Sequence, residues 1–481
     1  MAGDSYDALS YSGYPFPQSH PGRMSAQAIL RGLDPAPVDS ARVLELGCGD
    51  GGNLIPMAFG LPGAAFTGID LNEAALARGR EHAKTLNLGH VDLRAGDLET
   101  LDLDGPFDYV IAHGVYSWVS PEARDNLLRV AGRVLSGHGV LYASYNAKPG
   151  GHLRQIVREL MQFASRGETD AHRIVERARA AVRLVKEAQG PSDVYGVFLG
   201  EYLDKVLERS DAGVFHDDLE VHNHAVYLEE LVVHAERHGL AYLAASDLHD
   251  SAYGKHGAGI DDALDELEPD SEIDQEQALD FLRLRMYHQT LLCRAEAPRN
   301  EMPDRARIDS LRAYSSLRPD AGAVLDDGSA VSFEERHGAR LRTDHPAVKQ
   351  TFGALGAVWP DGLRAADLLG DDPDAVRQAV LAGHAAGLVQ LTTHAPAIEP
   401  AVDDRPVASA LARAQVAAGY DHVTNLKHER IPVADDDGRR LIALLDGTRD
   451  HAALATAMGD AERLRVSLDR LAGLALLTTR P

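Results

Sequence analysis

The chain has 481 residues, 44% apolar and 25% charged, a balance that suits about three folded domains. Two cysteines, Cys48 and Cys293, exclude a disulfide framework, no apolar run approaches the roughly 18 residues of a membrane span, and the acidic start lacks the basic and apolar regions of a secretory leader, so a cytoplasmic, reducing setting without membrane insertion is expected. The net charge of −25 repels phosphate backbones, which argues against nucleic acid as a partner and favours cationic ligands.

Residues 1–24 follow no regular pattern. Tyr11, Tyr14 and Phe16 are interleaved there with Pro15, Pro17 and Pro21. Disordered tails are usually poor in aromatics, so this arm is expected to fold back, either as a lid or as cover for the core. Residues 25–33 are predicted to be helical, with Ser25 as the cap. From residue 43 strands and helices alternate. Strands are expected at 43–46, 65–69, 91–94, 107–112 and 139–145, and helices at 53–60, 71–86 (with Asn72 as a cap) and 122–135. That alternation predicts an α/β, doubly wound, Rossmann-like parallel sheet over residues 25–150. Ligands in such sheets lie outside the carboxyl ends of the strands.

The organising stretch is Val43-Leu44-Glu45-Leu46-Gly47-Cys48-Gly49-Asp50-Gly51-Gly52-Asn53. A buried strand, a glycine loop and a helix N-terminus make a nucleotide-type cofactor site. The glycines also satisfy a dinucleotide pattern. Glu45, two residues before Gly47, completes Glu-x-Gly-x-Gly-x-Gly, which resembles the cofactor loop of class I methyltransferases. Asp70 and Leu71 follow the second strand, where a carboxylate can accept both ribose hydroxyls in either kind of enzyme. Asp97 and Leu98 follow the third strand, and Asp97 is placed to accept from an adenine amino group. His113, Gly114 and Val115, after the fourth strand, can close over the cofactor. No second glycine-rich turn offers a nicotinamide half, so S-adenosylmethionine is the expected cofactor. Methyl transfer needs a nucleophile held in line with the methyl group, about 3 Å away, with water excluded. Aromatic faces attract cations and shut out solvent, which makes Tyr116, Trp118 and Tyr145 candidate acceptor walls and His113 or His20 a candidate proton acceptor.

Residues 151–300 read as mainly helical, with amphipathic patterns at 152–163, 171–188, 197–209 and 227–237, a break at Pro191 and an acidic run over 261–280. His234 and His238 lie four apart, yet no His-Glu-x-x-His motif accompanies them, and no metal is expected. Over residues 301–481 there is an internal echo: Gly387-Leu388-Val389-Gln390-Leu391-Thr392-Thr393 matches Gly473-Leu474-Ala475-Leu476-Leu477-Thr478-Thr479. Two helical patterns precede each copy, at 361–386 and 438–472, so two winged-helix-like units are predicted. Their acidic loops favour protein contacts, as a dimer or a substrate platform, over DNA.

Several stretches together resemble methyltransferases with a methyltransferase regulatory domain. They are Tyr14-Pro15-Phe16-Pro17-Gln18-Ser19-His20-Pro21, Glu45-Leu46-Gly47-Cys48, Gly51-Gly52-Asn53-Leu54-Ile55-Pro56-Met57-Ala58, His113-Gly114-Val115-Tyr116-Ser117-Trp118-Val119, Ser144-Tyr145-Asn146, Gln289-Thr290-Leu291-Leu292-Cys293 and Leu444-Leu445-Asp446-Gly447-Thr448-Arg449-Asp450. The resemblance spans nearly the whole chain. The family's best understood members are similar to bacterial outer-membrane-protein lysine methyltransferases, which implies N-methylation of lysine side chains in a protein or peptide. The chain departs from that family at Asp50 and at Ala147-Lys148-Pro149-Gly150-Gly151-His152, where two aromatics are missing. Two other functions are open at this point: carboxyl O-methylation, with Lys148 or Arg154 as a cationic clamp, and a cofactor-sensing interaction protein without turnover.

Overall fold

The computed structural model describes residues 13–190 and 192–479. The arm before Gly13, including Tyr11, and the expected break at Pro191 lie outside the described residues. Apolar runs bounded by glycine and turn residues form the central strands: β1 (Arg42–Leu46), β2 (Ala65–Asp70), β3 (Val91–Ala95), β4 (Phe107–Ala112) and β5 (Leu135–Asn146). They pair in parallel. Two further strands come from the middle of the chain, β6 (Leu240–Ala245) and β7 (Tyr287–Arg294), giving the order β3-β2-β1-β4-β5-β7-β6. β7 runs antiparallel to both its neighbours, so the doubly wound sheet is mixed at that edge. The β5·β7 ladder sets Asn146 opposite Tyr287 and Ser144 opposite Gln289.

Side chains alternate between the two faces of a strand, and each face has its own core. One carries Val43, Tyr109, Tyr142 and Leu291 under Met24, Ala28, Leu54 and Leu76. The other carries Leu44, Val110, Tyr116 and Tyr145 under Leu127, Val130, Leu228 and Leu231. Helix α1 (Pro21–Leu30) begins four residues before the position its sequence suggested. Pro21 at the first helical position has no N–H to leave unpaired and a φ already fixed for the helix. The cap is therefore His20, whose Nδ1 accepts from Gly22 N at 3.0 Å, and Ser25 lies buried inside the helix. After the glycine loop come α2 (Leu54–Gly60), α3 (Glu73–Thr85) and α4 (Pro121–Val134). Asn72 caps α3 as expected, accepting from Ala75 N at 2.9 Å.

The middle region packs α5 (Gly151–Ala164), α6 (Ala171–Ala188) and α7 (Val194–Glu208) around a core of their own. The chain then returns through α8 (Leu228–Glu236) to β6, and through α9 (Ala258–Glu266) and α10 (Glu272–Arg283) to β7.

The two copies of the echo occupy the same place in two similar units. In the first, β8 (Arg312–Tyr314) lies between β12 (Leu363–Arg364) and β13 (Gln390–Thr392), with helices α11 (Pro346–Val358) and α12 (Pro373–Ala385). Strands β9 (Arg318–Pro319), β10 (Val331–Glu334) and β11 (Arg340–Thr343) form a separate small sheet between β8 and α11. In the second unit, α13 (Ala410–Ala417) and the hairpin of β14 (His422–Thr424) and β15 (Arg430–Pro432) precede α14 (Asp436–Leu444), α15 (His451–Met458) and α16 (Ala461–Gly473). There Val407 bridges Asp446 and Ala408 bridges Leu477, as Ala313 pairs with Leu363 and Leu391 in the first. Leu391 and Leu477 are the same position of the echo, each buried in its unit's core.

Candidate active site

The carboxyl ends of β1, β2, β4 and β5 share one rim. After β1 the chain turns at Gly47, with Gly47 N and Cys48 N both donating to Ile69 O. Gly47, Gly49 and Gly51 all have positive φ. A Cβ on Gly47 would lie 2.4 Å from Val115 Cγ2, whereas one on Gly49 (φ +54) would meet no protein atom within 4 Å. The loop is thus packed on its inner side and open at Gly49, the geometry of a backbone that a ligand approaches. Burial pushes the Cys48 thiol far up, which leaves it an inert packing group.

Glu45 is buried beneath this loop. Its Oε1 accepts from Asn53 Nδ2 at 2.7 Å. Its Oε2 is buried with no hydrogen-bond partner among the described residues. Burial, opposed by the Asn53 bond and reinforced by the Asp70 and Asp50 charges, raises its carboxyl to about 8. Asp70 accepts from Gly49 N (2.7 Å) and Asn72 N (2.8 Å), one on each oxygen, and each oxygen keeps a lone pair for a ligand. Leu71 stands beside it with 69% of its surface exposed. Asp97 is exposed and accepts from Glu99 N at 2.9 Å. Leu98 is half-buried against the core, its carbonyl accepting from Asn126.

On the other side of the rim, His113 stacks on Phe16 of the arm with ring centroids 3.4 Å apart. Its Nδ1 meets the Tyr142 hydroxyl at 3.0 Å and its Nε2 the Tyr287 hydroxyl at 3.4 Å. Burial lowers the ring to about 3, so it is neutral. Gly114 N donates to Ser144 Oγ at 2.7 Å, and Val115 is the residue packed on Gly47. Glu45, the glycine loop, Asn53, Asp70, His113 and Gly114 are therefore brought together with the arm. Tyr116 and Tyr145 lie in the core on the opposite sheet face. The Tyr116 hydroxyl meets His234 Nδ1 at 2.9 Å, and Tyr145 meets Thr290 and stacks on His288. Trp118 is half-buried farther out, with the Arg154 guanidinium 5.1 Å from its ring. His20 caps α1 with its ring 5.2 Å from His394 and 5.4 Å from His428.

Sequence reasoning did not single out Tyr142, Tyr287 or His428. Tyr287 reaches the rim only through the β5·β7 pairing, which no local signal announces. Asp125 on α4 also escaped notice; its Oδ1 lies 3.1 Å from His234 Nε2 and 2.8 Å from His238 Nε2.

Residues 43–139 match the family described as a methyltransferase domain. The chain belongs to the class I S-adenosylmethionine-dependent methyltransferases. Residues 210–294 match a predicted methyltransferase regulatory domain, and 404–469 the C-terminal winged helix domain of PKMT. An uncharacterised protein of Rickettsia prowazekii is 32% identical over 291 residues, 60% of this methyltransferase and 52% of the relative. A second from the same organism is 31% identical over 237 residues, 48% and 94% of the two chains. The methyltransferase thus spans about half the length of the first relative and nearly all of the second. Its fold is similar to that of PKMT2 from Rickettsia typhi, with a TM-score of 0.85 at 23% identity over 97% of this chain and 99% of that one; that protein is also known in complex with AdoHcy. The orphaned Glu45 oxygen and the open face of Gly49 fit S-adenosylmethionine, which carries an amino group and a cationic sulfur. No helix among the described residues is long and apolar enough to cross a membrane.

Proposed function

We propose that the protein N-methylates lysine side chains of a protein or peptide. The observation that carries this reading is the charge at the acceptor side of the rim. Both cations that could clamp a carboxylate are engaged: Lys148 Nζ with Glu230 at 3.1 Å, and Arg154 with Asp218 at 3.3 Å. Asp217, in the π-helical turn Val214–Asp218, makes no hydrogen bond through its carboxylate among the described residues. Burial pushes its carboxyl up. Burial of the Tyr287 hydroxyl and the neighbouring Asp217 charge push that group to about 12. A half-buried acid near the Tyr287 hydroxyl, partly balanced by the Arg154 and Arg209 charges, suits an ammonium group entering against an aromatic face. The match to the PKMT winged helix domain supports the same substrate class.

S-adenosylmethionine supplies an electrophilic methyl on sulfur. Glu45 would hold its amino group, the 47–51 loop its methionine backbone, Asp70 and Leu71 the ribose, and Asp97 with Leu98 the adenine. His113 and Phe16 exclude water from the meeting point. A lysine becomes a nucleophile only after losing a proton, and desolvation between aromatic rings lowers its pKa. With that proton lost to water, the amine would be held as the acceptor of the methyl that the cofactor supplies. The exposed Phe163, Leu184, Val197 and Phe198 on α5–α7 favour a homodimer.

Transfer of radiolabelled methyl into host lysate tests the reading. Base-stable label mapping to protein lysines is expected. Base-labile label would favour carboxyl esters, label confined to small molecules would overturn the protein substrate, and cofactor binding without transfer would favour a sensor.

A further inference from the structure

The second winged-helix unit reaches the cofactor rim with His428, at the tip of a hairpin. The β14–β15 turn is held by Asn425, whose Oδ1 accepts from Lys427 N (3.0 Å) and Glu429 N (2.8 Å) and whose Nδ2 donates to Leu474 O (2.9 Å). At its tip His428 has φ +62, a conformation rare outside glycine though histidine is among its commoner occupants. Such strain persists where surrounding contacts over-determine it, and it clusters at functional sites. The ring is 4% exposed, and Nε2 lies 2.9 Å from Asn53 Oδ1, a residue 375 positions away. An amide oxygen only accepts, so Nε2 carries the proton.

Asn53 is the node. Its Oδ1 also accepts from Phe16 N at 2.9 Å, and its Nδ2 donates to Glu45 Oε1 at 2.7 Å and to Ser19 Oγ at 3.0 Å. Arm, hairpin and cofactor carboxylate are thus joined through one side-chain amide. The same unit grips the arm again, with the Arg430 guanidinium 3.9 Å from the Tyr14 ring and His422 beside it at 4.9 Å. We propose that His428 is a positioning residue for the cofactor: it fixes the Asn53 amide, which fixes Glu45, so the C-terminal unit is a part of the cofactor site. This rests on the reading of Glu45 as the holder of the cofactor's amino group. By reciprocity, cofactor binding strengthens docking of the hairpin by the same factor.

The test uses the full chain and two substitutions of similar volume, His428→Gln and His428→Leu. Neither is β-branched, so both meet the positive φ at similar cost, but only Gln retains an N–H donor. Titration calorimetry with S-adenosylhomocysteine should show Leu weakening binding about tenfold and Gln recovering most of it. In labelling assays Leu should raise KM for S-adenosylmethionine with kcat little changed. Asp435→Ala removes the cap of α14, where Asp435 accepts from Gly438 N at 2.6 Å, far along the chain from Asn53. It should lower the Tm and leave cofactor affinity unchanged. The proposal is overturned if Leu and Gln bind alike, or if Asp435→Ala weakens binding as much as His428→Leu. A wild-type chain that bound no cofactor would instead overturn the reading of Glu45, and this proposal with it.

Discussion

Burial, reinforced by the Asp70 and Asp50 charges, raises the Glu45 carboxyl from 4.5 to about 8, and one of its oxygens has no hydrogen-bond partner among the described residues. The consequence for stability has a definite sign. Between those two values the folded state keeps a proton that the unfolded chain has lost, so this group makes stability fall as pH rises through that window. A cationic amino group at Oε2 reverses the preference and favours the ionised form. Cofactor binding near pH 7 should therefore release up to about one proton from Glu45. Calorimetry in two buffers of different ionisation enthalpy measures this, and Glu45→Gln should abolish the buffer dependence as well as weaken binding. Glu45 itself was legible in the sequence, from its spacing to Gly47. Its unpartnered oxygen was not, because that depends on what Asn53 is already bonded to. Tyr142 was illegible for a related reason: on sequence it is one apolar residue of a strand, and only its face of the sheet brings its hydroxyl to His113.

At the scale of elements, the strands and helices of residues 42–146 were legible because burial on both faces and capping residues such as Asn72 leave local marks. The start of α1 was misread because Ser25 is a better N-cap by type than His20, and Pro21 decided the matter through its fixed φ. The two copies of the internal echo lie at β13 and at the bridged residues Leu477 and Thr478, where Leu391 and Leu477 each fill a small core. That the arm folds back was expected from its aromatics and prolines, but where it touches the loop left no mark. A Cβ on Gly52 would lie 2.3–2.5 Å from the backbone of Gly13, which is closer than carbon atoms can pack, so the two glycines let the segments touch. Gly52→Ala should push the arm off the loop, since neither backbone can yield locally. Phe16 would leave His113 with it. The expected result is a fall in turnover of about tenfold or more, in line with misplacement of a reacting group, with the Tm of the chain changed by only a few degrees. Turnover and Tm equal to wild type would mean that the arm is not held there in solution.

The molecule as a whole sets a charge of −25 against a set of exposed apolar side chains. Single exposed apolar residues are ordinary on a protein surface. Phe163, Leu184, Val197 and Phe198 are different, because each is 62–66% exposed and they lie on three helices that pack on one another around a separate core. That bundle has a core of its own, so its exposed apolar groups call for cover from elsewhere. A second copy would supply it, since in a two-fold interface the same patch meets itself and each residue counts twice. Burying a phenylalanine contributes about 1.5–3 kcal/mol. Replacing Phe163 and Phe198 by glutamate would thus remove four such contributions, about 6 kcal/mol or more, and weaken association by roughly four orders of magnitude. Light scattering should give twice the chain mass of 51.8 kDa for the wild type and a single chain for the double variant. Cofactor affinity should be the same in both, because neither phenylalanine lies on the rim. A wild type that was monomeric at micromolar concentration would leave these helices to cover something other than their own copy.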